Sequence, residues 1–130
     1  MPTWNELKDY ARSRYALDDD GEDDFSLIFE FDATGRTQKI GVTRFTAFER
    51  NWIEFRSYVC KGTQLDHEVA LKKNEDFAIG ALALDAEGDY CLVYSVALDT
   101  LDPDEFEIPL HALAHIADEL EAHYAKSDDF

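Results

Sequence analysis

Phe25-Ser26-Leu27-Ile28-Phe29-Glu30-Phe31 sets a large apolar side chain at every second position, Phe25, Leu27, Phe29 and Phe31 alternating with Ser26, Ile28 and Glu30. A period of two is that of a strand with one strongly apolar face. Working outward, Asp32-Ala33-Thr34-Gly35 is turn chemistry, and residues 37–48 read as a second strand. Ile40 and Val42 are in phase there while Phe45 is out of phase, which predicts a bulge or bend over 41–46. Residues 49–51 turn the chain into a third strand at 52–60. Ile53, Phe55, Ser57 and Val59 share one of its faces, and Trp52, Glu54, Arg56 and Tyr58 the other. Lys61-Gly62-Thr63 breaks the pattern, and residues 65–75 read as a short helix. Residues 77–85 and 89–98 flank Ala86-Glu87-Gly88 as a hairpin, which brings the expected strands to five.

Helices close both ends. Thr3 with Glu6 is a capping-box pair, and Trp4, Leu7, Ala11 and Tyr15 follow along one stripe, with Tyr10 on its flank. Asp102-Pro103-Asp104-Glu105 is a helix start, because proline fits the first helical position and acids favour the positive end of the dipole. Phe106, Leu110, Leu113, Ala117, Leu120 and Tyr124 then step by four and three; Pro109 predicts either a kink or a helix that begins near 109. No internal repeat or linker divides residues 1–130. The expected architecture is a single α+β domain, an antiparallel five-stranded sheet with three helices in the order α-β-β-β-α-β-β-α.

Charge excludes more than any motif includes. Asp and Glu number 29 against 12 Lys and Arg, a formal net charge of -17. Nucleic acid and anionic membranes are bound by clustered Lys and Arg, so neither is an expected partner. Nine Phe, six Tyr and two Trp in periodic runs argue for a packed core rather than an acidic disordered tail. The chain shows no leader pattern and no long apolar run, which makes the cytoplasm the expected compartment. Cys60 and Cys91 each lie near an end of an apolar strand-like run and read as reduced, buried thiols. The acidity itself is explained equally by a solvated surface or a salt-adapted source.

Chemistry-bearing patterns fail one by one. Asp18-Asp19-Asp20-Gly21-Glu22-Asp23-Asp24 resembles a calcium loop only in composition: Ala16 and Leu27 stand where the first and twelfth ligands belong, so a solvated loop is expected. His111 and His115 have metal-binding spacing, yet they project opposite the apolar stripe and lack the intervening Glu of a zinc-protease helix. Ser26, Ser57 and Ser95 lie in strands without an elbow motif, the cysteines lack basic neighbours, and no glycine loop for phosphate occurs. No catalytic residue, metal or cofactor is expected. Arg44 and Arg56 are expected to pair across strands with Glu54 or Glu49.

Three segments carry a resemblance: Gly35-Arg36-Thr37-Gln38-Lys39-Ile40-Gly41-Val42, Ile53-Glu54-Phe55-Arg56-Ser57, and the entry Leu98-Asp99-Thr100-Leu101-Asp102-Pro103-Asp104-Glu105 to the last helix. From about Phe25 onward the chain resembles the YbjN-like family, which shares its fold with the class I type III secretion chaperones. The resemblance implies a non-enzymatic, often homodimeric α+β module with helices on a curved antiparallel sheet. Secretion chaperones of this fold hold an extended effector segment on hydrophobic patches, and YbjN-like proteins are described as regulators. Pro109 departs from the uninterrupted last helix of the family.

The resulting expectation is an acidic module that binds a protein partner through apolar surface on helix 3–16 and neighbouring strands, with Trp4, Tyr10, Trp52 and Tyr58 as contacts. A homodimer is expected through Phe77, Ile79, Leu82 and Leu84, a stretch without carboxylates, because a charge of -17 opposes two copies elsewhere. The alternative is an acidic neutralising protein of the toxin-immunity type facing a basic partner. A third reading, a small metal-dependent enzyme, rests on His111 and His115 alone.

Overall fold

Thr3 opens helix α1 (Trp4–Arg14) by accepting from the Glu6 amide at 3.2 Å, and the helix buries Trp4, Leu7 and Ala11. The computed structural model describes residues 2–125. After α1 come β1 (Asp19–Asp20), β2 (Asp24–Phe31), β3 (Arg36–Ala47), β4 (Arg50–Lys61), α2 (His67–Lys73) with a 3-10 turn at Asn74–Asp76, β5 (Ala81–Leu84), β6 (Asp89–Ala97) and α3 (Pro103–Tyr124). All strands pair antiparallel in one sheet of order β1-β2-β3-β4-β6-β5.

The sheet has six strands, not five. The additional one, β1, comes from the acidic run expected as a solvated loop; Asp19 holds Ser26 and Lys39, and the segment folds back on the start of β2. Nothing apolar alternates there, so period-two reading had no signal to find. No bulge interrupts 41–46: β3 keeps one register against β2 and another against β4 throughout their pairing, and Phe45 faces the other side. The irregularity falls instead between Tyr58 and Cys60, against β6.

Helix α3 starts at Pro103 and continues through Pro109, which overturns the alternative of a helix that begins near 109. Asp102 and Glu105 form a full capping box, and Pro109 deprives only the exposed Glu105 position of its intrahelical donor while its ring is buried. The strand expected at 77–85 shrinks to Ala81–Leu84, because residues 77–80 run beside α3 and Gly80 turns at a φ of 90°.

Both long helices lie on one face of the sheet. Phe106 is their hub, with its ring 5.8 Å from Phe55, 6.3 Å from Phe25 and 6.0 Å from Tyr10. Arg36 ties the start of β3 to α3 through Asp118 at 3.0 Å and the fully buried Glu121 at 2.7 Å. Gln38, also buried, donates to Ser57 Oγ at 2.7 Å and to the Tyr58 carbonyl at 2.8 Å. The Gly35–Val42 segment is therefore structural: its polar residues lock the β3–β4 pair and its helix. Six strands about 4.8 Å apart span roughly 24 Å, more than two helices of about 10 Å each can cover. One side of the sheet is left without a helix, and the β6–β5 flank of the other side is covered only in part.

Candidate functional site: the helix-free face of the sheet

Strands β3 and β4 form the longest hairpin, and alternation sends Lys39, Gly41, Thr43 and Phe45 together with Trp52, Glu54, Arg56 and Tyr58 to the helix-free face. Phe45 pairs with Trp52, and their rings stack with centroids 6.3 Å apart and planes within 15°. The indole Nε1 donates to the Ala47 carbonyl at 2.8 Å, which fixes the ring. Opposite Arg56, Gly41 leaves a hollow of about 300 Å³ walled by Lys39, Thr43, Arg56 and Tyr58. A Cβ at 41 would meet nothing nearer than the Arg56 carbonyl at 3.8 Å, so glycine here keeps space open rather than relieving a clash. Ile28, 48% exposed, extends the apolar surface beyond Lys39.

At the tip of this hairpin, Phe48 and Glu49 both adopt positive φ, 53° and 59°. A two-residue turn of that kind favours Asn and Gly, and L-residues there are strained. Phe48 is nevertheless 90% exposed. A phenyl ring is thus held in solvent at conformational cost.

The electrostatics of this face differ from those of the chain. Its outward positions from Lys39 to Phe45 and Trp52 to Tyr58 hold Lys39 and Arg56 against Glu54 alone. Arg56 Nε meets Glu54 Oε1 at 2.8 Å, a pair along one strand rather than across two, and this hydrogen bond raises the guanidinium pKa. Arg44 pairs with Asp23 at 2.8 Å instead of Glu49 or Glu54. Tyr58 Oη donates to Asp85 at 2.8 Å, and that bond, with burial, raises the phenol.

The four residues singled out for partner contact do not come together. Trp52 and Tyr58 share the helix-free face. Trp4 is only 5% exposed, its ring 5.5 Å from Phe25 and its Nε1 bonded to the Glu22 carbonyl. Tyr10 is half-buried between the helices, donating to Glu107 at 3.0 Å. Tyr15 donates to the same carboxylate, Arg14 meets it at 2.9 Å, and His111 Nε2 lies 3.2 Å away, so α1 is pinned to α3 through Glu107. Helix α1 thus presents its named aromatics inward. Of the residues assigned to a dimer, Leu82 is buried at 7% and Leu84 is 44% exposed, while Phe77 and Ile79 are half-buried beside α3. The Asn74 side chain donates to the Leu82 carbonyl at 3.3 Å and accepts from its amide at 2.7 Å, closing the β5 edge at that residue.

Sequence reading did not single out Phe45, Phe48 and Ile28, the exposed large apolar residues of this face and its tip. The signal was present: residues 33–48 contain no carboxylate in a chain with 29 of them, a longer gap than 77–84. His111 and His115 are exposed but lie against Phe29 and Phe31, with ring centroids 5.2 and 5.1 Å apart. Among the described residues, Asp85, Glu87 and Asp89 bring carboxylates within 4.8 Å of one another; Asp85 accepts from the amides of the other two and so shapes the hairpin turn.

The α+β fold has counterparts among solved structures. The chain is similar to one in the structure of the HopA1-SchA chaperone–effector complex, with a TM-score of 0.61 and 15% identity, over 88% of this chain and 89% of that one. It is also similar to a chain in the crystal structure of the ExsC–ExsE complex, with a TM-score of 0.54 and 19% identity, over 92% of this chain and 91% of that one. At such identities the likeness is one of fold. No family model matches the sequence, and no curated protein matches it.

Proposed function

We propose that the chain is a non-enzymatic, chaperone-like or regulatory module that holds a segment of a partner protein on the helix-free sheet face. The observation that carries this reading is the aromatic surface of Phe45, Phe48 and Trp52 beside the Gly41 hollow, depleted of carboxylates in a chain of net charge -17. Aromatic side chains supply large contact area at low entropic cost, and hot spots form around them. The fold neighbours support the reading, since one was solved as a chaperone–effector complex. The finer resemblance to YbjN-like regulators adds the regulatory alternative. No described helix is long and apolar enough to cross a membrane; a cytoplasmic site of action and a homodimer complete the proposal.

Capture from a lysate of the source cell tests it, comparing wild type with a Phe45→Ala/Trp52→Ala variant of unchanged circular dichroism. The double variant should lose its specific protein partner by about tenfold or more. Retention of that partner rejects the site. Apolar contacts should survive about 0.5 M salt, where Debye screening shortens to a few ångströms; complete loss there would favour the acidic neutralising reading instead.

A further inference from the structure

On the helix side of the sheet, α3 leaves its own flank open. Ile108 is 58% exposed, and Ile116 follows two turns later on the same flank. Two hollows of about 260 and 370 Å³ lie along this flank: Ile79, Tyr94 and Val96 wall the first, Phe77, Ala78 and Leu120 the second. Phe77 and Ile79 are neighbours but one in the chain, so the two hollows follow one another beside the helix as an interrupted groove. From Ile108 to Ile116 its length is about 12 Å, and it continues toward Leu120. The rim is acidic: Asp102, Asp104 and Glu105 at one end, Asp76 and Glu119 at the other, all exposed. Among the described residues Lys73 is the one cation lining it, and its ammonium lies over the Tyr124 ring at 5.5 Å.

We infer that this groove is a docking site for an amphipathic helix of a partner protein whose apolar stripe is flanked by Lys and Arg. Two apolar hollows in succession beside a helix fit the spaced anchors of a partner helix at i, i+3, i+4 and i+7. Carboxylates at both ends favour cationic flanks and reject acidic ones, because like charges at a rim oppose approach. A second copy of this chain would bring its own acidic surface to the rim, so the proposed homodimer is expected to meet away from this groove and not through Phe77 and Ile79. This surface is separate from the Phe45–Trp52 face and lies on the other side of the sheet.

A fluorescent peptide of about sixteen residues, with Leu on the heptad stripe and Lys on both flanks, is the probe, read by anisotropy on the full chain at about 0.15 M salt. Two controls accompany it: the same residues scrambled, and the same stripe with Glu for Lys. The striped Lys peptide should bind about tenfold or more tighter than either control. Ile108→Asp should weaken it about tenfold, and Asp104→Lys with Glu119→Lys should weaken it while improving the Glu peptide. Trp52→Ala should leave it unchanged, which separates this groove from the sheet face. Equal binding of the scrambled Lys peptide would show attraction to net charge alone and overturn the inference. So would retained affinity in both the Ile108 and the charge-reversed variants, or loss of binding on Trp52→Ala.

Discussion

The two faces of the sheet solve the same coverage problem with opposite chemistry. On one, the β3–β4 hairpin presents stacked rings, a glycine hollow and Lys39 and Arg56 against Glu54. On the other, an apolar groove beside α3 is fenced by carboxylates at both ends. Net charge alone describes neither: a chain of -17 concentrates its acids on helices, loops and rims, and leaves its longest hairpin nearly free of them. Where charge is absent matters as much as where it is concentrated.

Both surfaces rest on one core, and removing its hub gives the largest effect. Phe106→Ala should cost about 3–5 kcal/mol in denaturant unfolding, since its ring meets both helices' packing and the sheet. Loss of the groove with an intact hairpin face would show that the surfaces are built independently. Asn74→Ala comes next, at about 1–3 kcal/mol, by stripping both partners from the Leu82 backbone. It should also raise self-association measured by light scattering, because the β5 edge is then unsealed; a variant of unchanged stability would mean water replaces the amide at no cost.

A smaller effect carries an unusual sign. Phe48→Gly should stabilise the protein by up to about 1 kcal/mol, because glycine adopts the φ of 53° without strain, while weakening partner capture. A stabilised variant with full capture would remove Phe48 from the contact surface.

The smallest effect is a pH dependence of the α1–α3 joint, away from both surfaces. Burial pushes the Glu107 carboxyl up, but hydrogen bonds from Tyr15 and Tyr10 and the charge of Arg14 outweigh it, so the net shift is downward. Burial and the bond to Glu107 push the Tyr15 phenol up to about 12. A depressed carboxyl contributes stability above its unfolded pKa that is lost as pH falls through the folded value; a raised phenol contributes stability below about pH 10 that is lost as pH rises toward about 12. The melting-temperature gap between wild type and Glu107→Gln should therefore narrow at both extremes. Tyr15→Phe should shrink both limbs, because its bond also lowers Glu107 and Tyr10 still bonds the same carboxylate; an unchanged alkaline limb would show that Tyr15 does not titrate through this joint.

Alternation and capping exposed most of the fold in the sequence. The faces of β4 follow the expected split, with Ile53, Phe55, Ser57 and Val59 buried, and the three helices occur in order. What failed was set by tertiary contacts. Strand β1 is made of aspartates held by Lys39, Lys8 and Arg12 from distant elements, so no local pattern marks it. Phe45 looked like a bend because one apolar face was assumed; two useful faces explain it. Trp4 and Tyr10 were assigned outward roles on aromatic character, yet a bond to Glu22 and a bond to Glu107 draw them inward, and only folding brings those partners near.

Acrylamide quenching of Trp52 in a Trp4→Phe background tests the sheet-face assignment most directly, since Trp4 is buried and its replacement leaves a single reporter. With the captured partner bound, Trp52 emission should shift to the blue and its quenching constant should fall severalfold as the ring leaves solvent. A complex in which Trp52 remains as quenchable as in the free protein would contradict binding on the helix-free face.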